Sequence, residues 1–298
     1  MMALPTRDIV LIADDFALSE GVSAGITRLA RAQRITGTSA LVTLPRWNTD
    51  GAILAELRDV IAIGLHMNLT LGLPLGNMPS LAPEGRLPDV GTLVRRSVLG
   101  RLDRDEIAEE IVRQLRLFEA VVGHKPDFID GHQHVHALPG VRDALIATVL
   151  QYYRSEPVRP LIRVPGDDPR ALLRRPGARG KAMLLTLLSG GFARALAAAG
   201  LPANASFAGV TAFGDSEEEV RHHLEVAALE ARGGLHLVMC DPGVPDAELA
   251  AHDPVTTRRG AELAVLSRDN PLTDRLRLVV RATPGGMIDW REEGAVSG

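Results

Sequence analysis

The chain has 298 residues, 46% of them hydrophobic, enough for a sizeable core, and α/β barrels of this length routinely form one domain. A formal net charge of −4 without a basic stripe argues against nucleic-acid binding, and the single cysteine, Cys240, excludes an internal disulfide framework and a cysteine-built zinc site. Met1 to Asp8 lack a basic-then-apolar leader pattern and no apolar run reaches transmembrane length, so a cytoplasmic protein without a membrane span is expected.

In chain order, Ile9 to Ala13 is a continuous apolar run, as in a strand buried on both faces of a parallel sheet, and it runs into Asp14 and Asp15. Ser19 and Glu20 open a helical pattern carried by Val22, Ile26, Leu29 and Ala30. Ile35 to Leu44 reads as strand two, Ile53 to Leu57 as part of a short helix, and Val60 to Leu65 as strand three, ending at His66. The stretch near 71–102 opens with prolines and glycines and is expected to be an irregular excursion. Asp103 to Val122 is amphipathic, with Ile107, Ile111, Leu115, Phe118 and Val122 at helical spacing.

Strand four follows and delivers Phe128-Ile129-Asp130-Gly131-His132-Gln133-His134-Val135-His136. If this stretch is extended, Asp130, His132, His134 and His136 fall at every second position and share a face. Val141 to Tyr153 reads as a helix and Leu161 to Val164 as strand five, with Arg163 at its end. A second excursion is expected near 165–180, then an alanine-rich helix from Ala182 to Ala199 interrupted at Gly190-Gly191. Phe207 to Phe213 is strand six, and a helix capped by Asp215 or Ser216 runs to Ala231, with His222 and His223 on its surface. Gly234 to Cys240 is strand seven, ending in Asp241. Asp253-Pro254 starts a last helix through Leu266, and Met287 to Trp290 closes as a short strand. This alternation predicts an α/β fold: a single domain over residues 1–298 forming a distorted TIM-like (β/α) barrel with seven or eight parallel strands.

In such a barrel, catalytic groups gather at the carboxyl ends of the strands. The polar residues there are Asp14, Asp15, His66, Asp130, His132, Arg163 and Asp241. A cation held by two imidazoles and one carboxylate keeps open positions for water and substrate, and a spare carboxylate can take the water's proton. Metal-assisted hydrolysis follows from these residue types, although the same donor set also serves non-haem iron oxygenases.

Three ordered stretches carry a resemblance: Ala13-Asp14-Asp15-Phe16-Ala17, Gly64-Leu65-His66-Met67-Asn68 and Asp130-Gly131-His132-Gln133-His134-Val135-His136. Together they resemble the signatures of the YdjC-like carbohydrate deacetylases, which include chitooligosaccharide deacetylases and relatives associated with hopanoid biosynthesis. The resemblance implies removal of acetyl groups from an N-acetylated mono- or oligosaccharide or glycoconjugate. It further implies one divalent metal ion, magnesium or zinc, activating water for attack on the amide carbonyl, and allows a homodimer. Asp15, His66 and His132 would then be metal ligands and Asp14 the general base, while Asp130, His134, His136 and Arg163 would contact substrate or support the ligands.

Two positions depart from the family pattern. Ala17 stands where glycine is common, and Asp241 stands where the family has the histidine expected as general acid. Asp241 can serve in that role only with a pKa raised by burial or by a nearby negative charge. The alternative is a catalytically impaired sugar- or metal-binding homologue.

Overall fold

The computed structural model describes residues 9–166, 191–209, 216–231, 234–277, 281 and 286–290. Its strands are β1 (Ile9–Phe16), β2 (Gly37–Ala40), β3 (Ala62–Met67), β4 (Phe128–Gly131), β5 (Leu161–Ile162), β6 (Ser206–Ala208) and β7 (His236–Cys240). Every pairing is parallel, in the order β5-β4-β3-β2-β1-β7-β6. The sheet curls until its edges meet, and there one bridge, Ile162 to Ala203, stands in for a ladder. The Asn204 side chain completes the seam: its oxygen accepts from Val164 N at 2.7 Å and its nitrogen donates to Val164 O at 3.0 Å. A side-chain amide can do this because, like a peptide, it carries both a donor and an acceptor. The predicted α/β distorted barrel is therefore what forms, with seven parallel strands among the described residues.

Period-two alternation divides the core. Ile9, Leu11 and Ala13 pack outward in the larger cluster, whereas Val10, Ile12, Phe128, Phe207 and Leu237 form a second cluster inside the curl. Two inward glycines make room for it: a Cβ on Gly37 would lie 2.6 Å from Ile12 and one on Gly64 2.4 Å from Phe128. Ile288 and Trp290 belong to the inner cluster and close its base.

The surrounding helices are α1 (Glu20–Arg31), α2 (Trp47–Leu57), α3 (Val90–Val98), α4 (Arg104–Val122), α5 (Val141–Tyr152), α6 (Glu217–Leu229), α7 (Ala247–His252) and α8 (Thr257–Leu266). Ser19 caps α1 by accepting from Val22 N, and Asp103 caps α4 by accepting from Asp105 N and Glu106 N. Gly123 ends α4 at φ +82°, a left-handed conformation that costs glycine little. Phe118 of α4 stacks on Trp47 of α2 with ring centroids 5.9 Å apart, and truncating such a buried ring typically costs about 3–5 kcal/mol. Among the described residues, no helix is long and apolar enough to cross a membrane.

Several expectations need correction. Strand two covers Gly37–Ala40 rather than Ile35 to Leu44, and its pairing with β1 shifts register between Ala13 and Phe16, where Asp15 turns left-handed. The excursion near 71–102 contains α3, capped by Asp89. β4 stops at Gly131, and His132–Ala137 coils into a short 3₁₀ segment with Gln133 and His134 at φ 54° and 61°. Asp130, His132, His134 and His136 therefore do not share one extended face. The last helix ends at Leu266 as expected but starts at Thr257 rather than at Asp253-Pro254, which lie between α7 and α8. Residues 286–290 form no strand; Trp290 Nε1 instead donates to Asp127 O at 2.8 Å, holding the segment across the barrel base. Residues 167–190 and 210–215, with nearly all of the second excursion, the first half of the alanine-rich helix and Asp215, lie outside the described residues.

Candidate functional site

Along five of the seven strands the inward-facing positions change from apolar to polar within two residues. Ile12 is followed by Asp14, Gly37 by Ser39, Gly64 by His66, Phe128 by Asp130 and Leu161 by Arg163. Register sets His66 level with Asp130, while Ser39, paired with Gly64, sits one inward-facing step below His66. Asp15 and His132 join from irregular backbone: Asp15 near the end of β1 at φ +67°, and His132 as the residue that leaves β4.

Three donors converge. Asp15 Oδ1 lies 3.1 Å from His66 Nε2 and 2.9 Å from His132 Nδ1, and the three ligand atoms lie within 4.8 Å of one another. His66 is oriented from behind, its Nδ1 being 2.6 Å from Asp130 Oδ1 and 3.1 Å from Ser39 Oγ. This carboxylate–imidazole pairing aims Nε2 at the centre and is the usual support for a ligating histidine. Two imidazoles and a carboxylate fit a divalent cation.

Asp14, His66 and Asp130 form a second group within the same reach. The guanidinium of Arg163 already occupies it: Nη1 and Nη2 donate to the two oxygens of Asp14 at 2.5 and 2.6 Å, and Nη2 stands 2.6 Å from Asp130 Oδ2. With Arg163 neutralising both acids, the deeper group does not suit a further cation.

Burial and neighbouring charge set the protonation of these groups. Burial raises the pKa of Asp14 although Arg163 opposes it, the direction that suits a proton acceptor. Burial would raise Asp15 too, but His132 and Arg259 outweigh it and hold its carboxyl well below the usual range. Burial likewise opposes ionisation of Asp130, and Arg163 with His66 overcomes it. His66 is pushed well above its ordinary value, because Asp130, Asp15 and Asp14 outweigh burial.

The centre opens into a cleft of about 290 Å³ whose wall includes Asp14, His134, Asp241 and Arg259. The Asp241 side chain is 31% exposed, yet displaced water together with Asp15 and Asp14 push its pKa up to about 6 against the pull of Arg259. Its backbone N donates to Glu262 Oε2 at 2.6 Å, so α8 fixes the end of β7. His134 is buried on the cleft wall, edge-on to Phe207. His136 points elsewhere, its Nε2–H donating to Arg163 O at 2.9 Å. The ring stays neutral because burial lowers its pKa to about 4.

Sequence reading missed Ser39, Arg259, Asp253 and Glu262. One signal for Arg259 was available: Arg258 and Arg259 stand in the first turn of α8, where the helix dipole disfavours cations unless acids offset it.

The model of the YdjC-like protein family matches residues 8–274. Chitooligosaccharide deacetylase from Klebsiella pneumoniae (strain 342) is 39% identical over 132 residues, 44% of this chain and 51% of that protein. The chitooligosaccharide deacetylase from Serratia marcescens is 39% identical over 138 residues, 45% and 52% of the two chains. The chain thus spans about half the length of the curated relatives it matches. A crystal structure of a candidate cellobiose-phosphate cleavage protein from Enterococcus faecalis V583 superposes with a TM-score of 0.69 at 17% identity, covering 97% of this chain and 100% of that one, a likeness of fold. By the match over residues 8–274, the chain belongs to the YdjC-like protein family.

Proposed function

We propose that the protein is a divalent-metal-dependent hydrolase that removes an acetyl group from the nitrogen of an N-acetylated sugar. The observation that carries this reading is the convergence of Asp15, His66 and His132 beside the spare carboxylate of Asp14, at the floor of an open cleft. The deacetylase names of the relatives supply the acetamido group and point to a chitooligosaccharide as substrate.

Asp15, His66 and His132 would hold the cation, and two imidazole donors would favour zinc over magnesium, which prefers oxygen ligands. When bound, a divalent cation supplies Lewis acidity, acidifying water and polarising a carbonyl. Asp14 takes the proton of the attacking water. Arg163 fixes both Asp14 oxygens and also holds Asp130, which keeps His66 in the tautomer with Nε2 facing the centre. As the new C–O bond forms and the C–N bond breaks, protonated Asp241 gives its proton to the departing amine. His134 lines the wall against which the sugar rests, and His136 braces Arg163. The enzyme is read as a cytoplasmic homodimer, which cell fractionation and light scattering check.

The test is acetate release from N-acetylglucosamine oligomers by metal-loaded protein. Acetate with an equal yield of free amine is expected; no release from any N-acetylated glycan in the presence of metal refutes the reading.

One observation favours a second reading, a catalytically impaired sugar- or metal-binding homologue. With a pKa of about 6, Asp241 is protonated in only about a tenth of molecules near pH 7. Activity that appears only in Asp241→His, and not in the parent, would establish it.

A further inference from the structure

Arg259 is a buried cation placed where the helix dipole alone disfavours one. It lies in the first turn of α8, at the positive end of that helix's dipole, and its side chain is only 3% exposed. Acids surround it. Nη2 reaches Asp15 Oδ2 at 2.6 Å and Asp253 Oδ2 at 2.7 Å, Nε reaches the same Asp253 oxygen at 3.1 Å, and Asp241 Oδ1 stands 4.0 Å from Nη1. Nη1 has no hydrogen-bond partner among the described residues. The two oxygens of Asp15 are thereby divided: Oδ1 faces His66 and His132, and Oδ2 is taken by the guanidinium.

That division has a chemical consequence. A carboxylate with both oxygens free can chelate a cation and donate its full charge. One whose second oxygen accepts from an arginine binds through a single oxygen and donates less. Carboxylates behind ligating histidines raise donor basicity; an arginine behind a ligating carboxylate lowers it.

We propose that Arg259 is a positioning residue that keeps Asp15 a one-oxygen ligand, so that a divalent cation is held less tightly but stays electron-poor and open to water and substrate. This rests on reading Asp15, His66 and His132 as the ligand set. The sign sets it apart from plain bracing, because losing a residue that merely supports a ligand weakens metal binding, commonly about 10- to 100-fold.

The experiment titrates zinc into the metal-stripped full chain against a competing chelator, for the parent, Arg259→Gln and Arg259→Lys. Cobalt(II) absorption reports the coordination and circular dichroism the fold. Arg259→Gln is expected to bind zinc about tenfold more tightly, since a nearby positive charge is gone and Asp15 can use both oxygens. Its cobalt band weakens as the coordination number rises, while kcat for acetate release falls. Arg259→Lys keeps the charge but lacks the fork that spans Asp15 and Asp253, so it falls between the two and carries the test if Arg259→Gln does not fold. Unchanged or weaker zinc affinity in a folded variant, with the parental cobalt spectrum, overturns the inference and leaves the ligand set standing. A parent that binds neither zinc nor cobalt removes the ligand set, and this inference with it.

Discussion

Asp14 and Asp15 are adjacent in the chain, yet both carboxylates address one centre, because Asp15 sits at φ +67°. In a regular strand consecutive side chains point to opposite faces. The left-handed residue cancels that alternation and turns a strand end into a two-acid site. The conformation costs an L-residue roughly 1–2 kcal/mol, which the contacts of Asp15 with His66, His132 and Arg259 offset.

Asp14→Asn tests the division of labour between these neighbours. The amide keeps the shape but cannot accept a proton, so kcat for acetate release should drop about 100- to 10,000-fold. Zinc content, measured by atomic absorption, should stay near one per chain. Loss of zinc together with activity would reassign Asp14 to the ligand set.

The pH dependence should carry the signature of Asp241. As general acid it must be protonated, and its pKa is about 6. The kcat profile should therefore fall above about pH 6, approaching tenfold per unit. Asp241→Asn should remove that limb and lower the maximum, whereas Asp241→His should move it upward. A limb unaltered in Asp241→Asn would deny Asp241 the role.

His136 links stability to acidity. Its folded pKa of about 4 lies below the ordinary histidine value of about 6.5, so it favours the folded state fully above about pH 6.5. As pH falls, the unfolded chain takes up the proton first, and the contribution disappears as pH passes through about 4. The shift corresponds to a loss on the order of 3 kcal/mol. Urea midpoints at about pH 7 and about pH 4.5 should converge for the parent and His136→Gln, whose amide does not titrate there.

The barrel base offers a prediction on stability alone. Asp127 accepts from Arg281 Nη1 and Nη2 at 2.7 and 2.6 Å and from Ile63 N at 2.9 Å, with both side chains of the ion pair buried. Asp127→Ala leaves a guanidinium without its buried partner and should cost about 3–5 kcal/mol in urea unfolding. A change below about 1 kcal/mol would mean that Arg281 finds water instead.

Ala17 lies at φ +71°, a left-handed conformation that glycine adopts at little cost. Ala17→Gly relieves roughly 1–2 kcal/mol of backbone strain but loses a buried methyl worth about 0.8 kcal/mol and adds unfolded-chain entropy. The terms nearly cancel, so its melting temperature should barely move. Ala17→Val adds branching to a left-handed residue and should be clearly destabilising.

Much of the chain was legible from local patterning. Val22, Ile26 and Leu29 read as one helix face and pack as one; Asp103 and Ser19 read as helix openings and cap them. The strand-end acids and imidazoles were recognisable because apolar runs stopping at ionisable residues are costly to bury without purpose. Where reading failed, the deciding interaction was distant in sequence. The stretch after Asp130 looked extended, but left-handed Gln133 and His134 coil it back over the cleft. Trp290 looked like strand and instead caps Asp127, more than a hundred residues earlier.

Sequence alone determined which residues could form strands and helices, because periodicity and capping are local properties of a chain. It also determined which side chains had chemistry to offer. Only the folded barrel decided how those side chains are shared out: Asp15 between two imidazoles and Arg259, Asp14 locked to Arg163, and His136 turned away from the cleft. Strand register, one left-handed residue and charges brought in from α8 make that assignment, and none of these follows from the residues nearest in the chain.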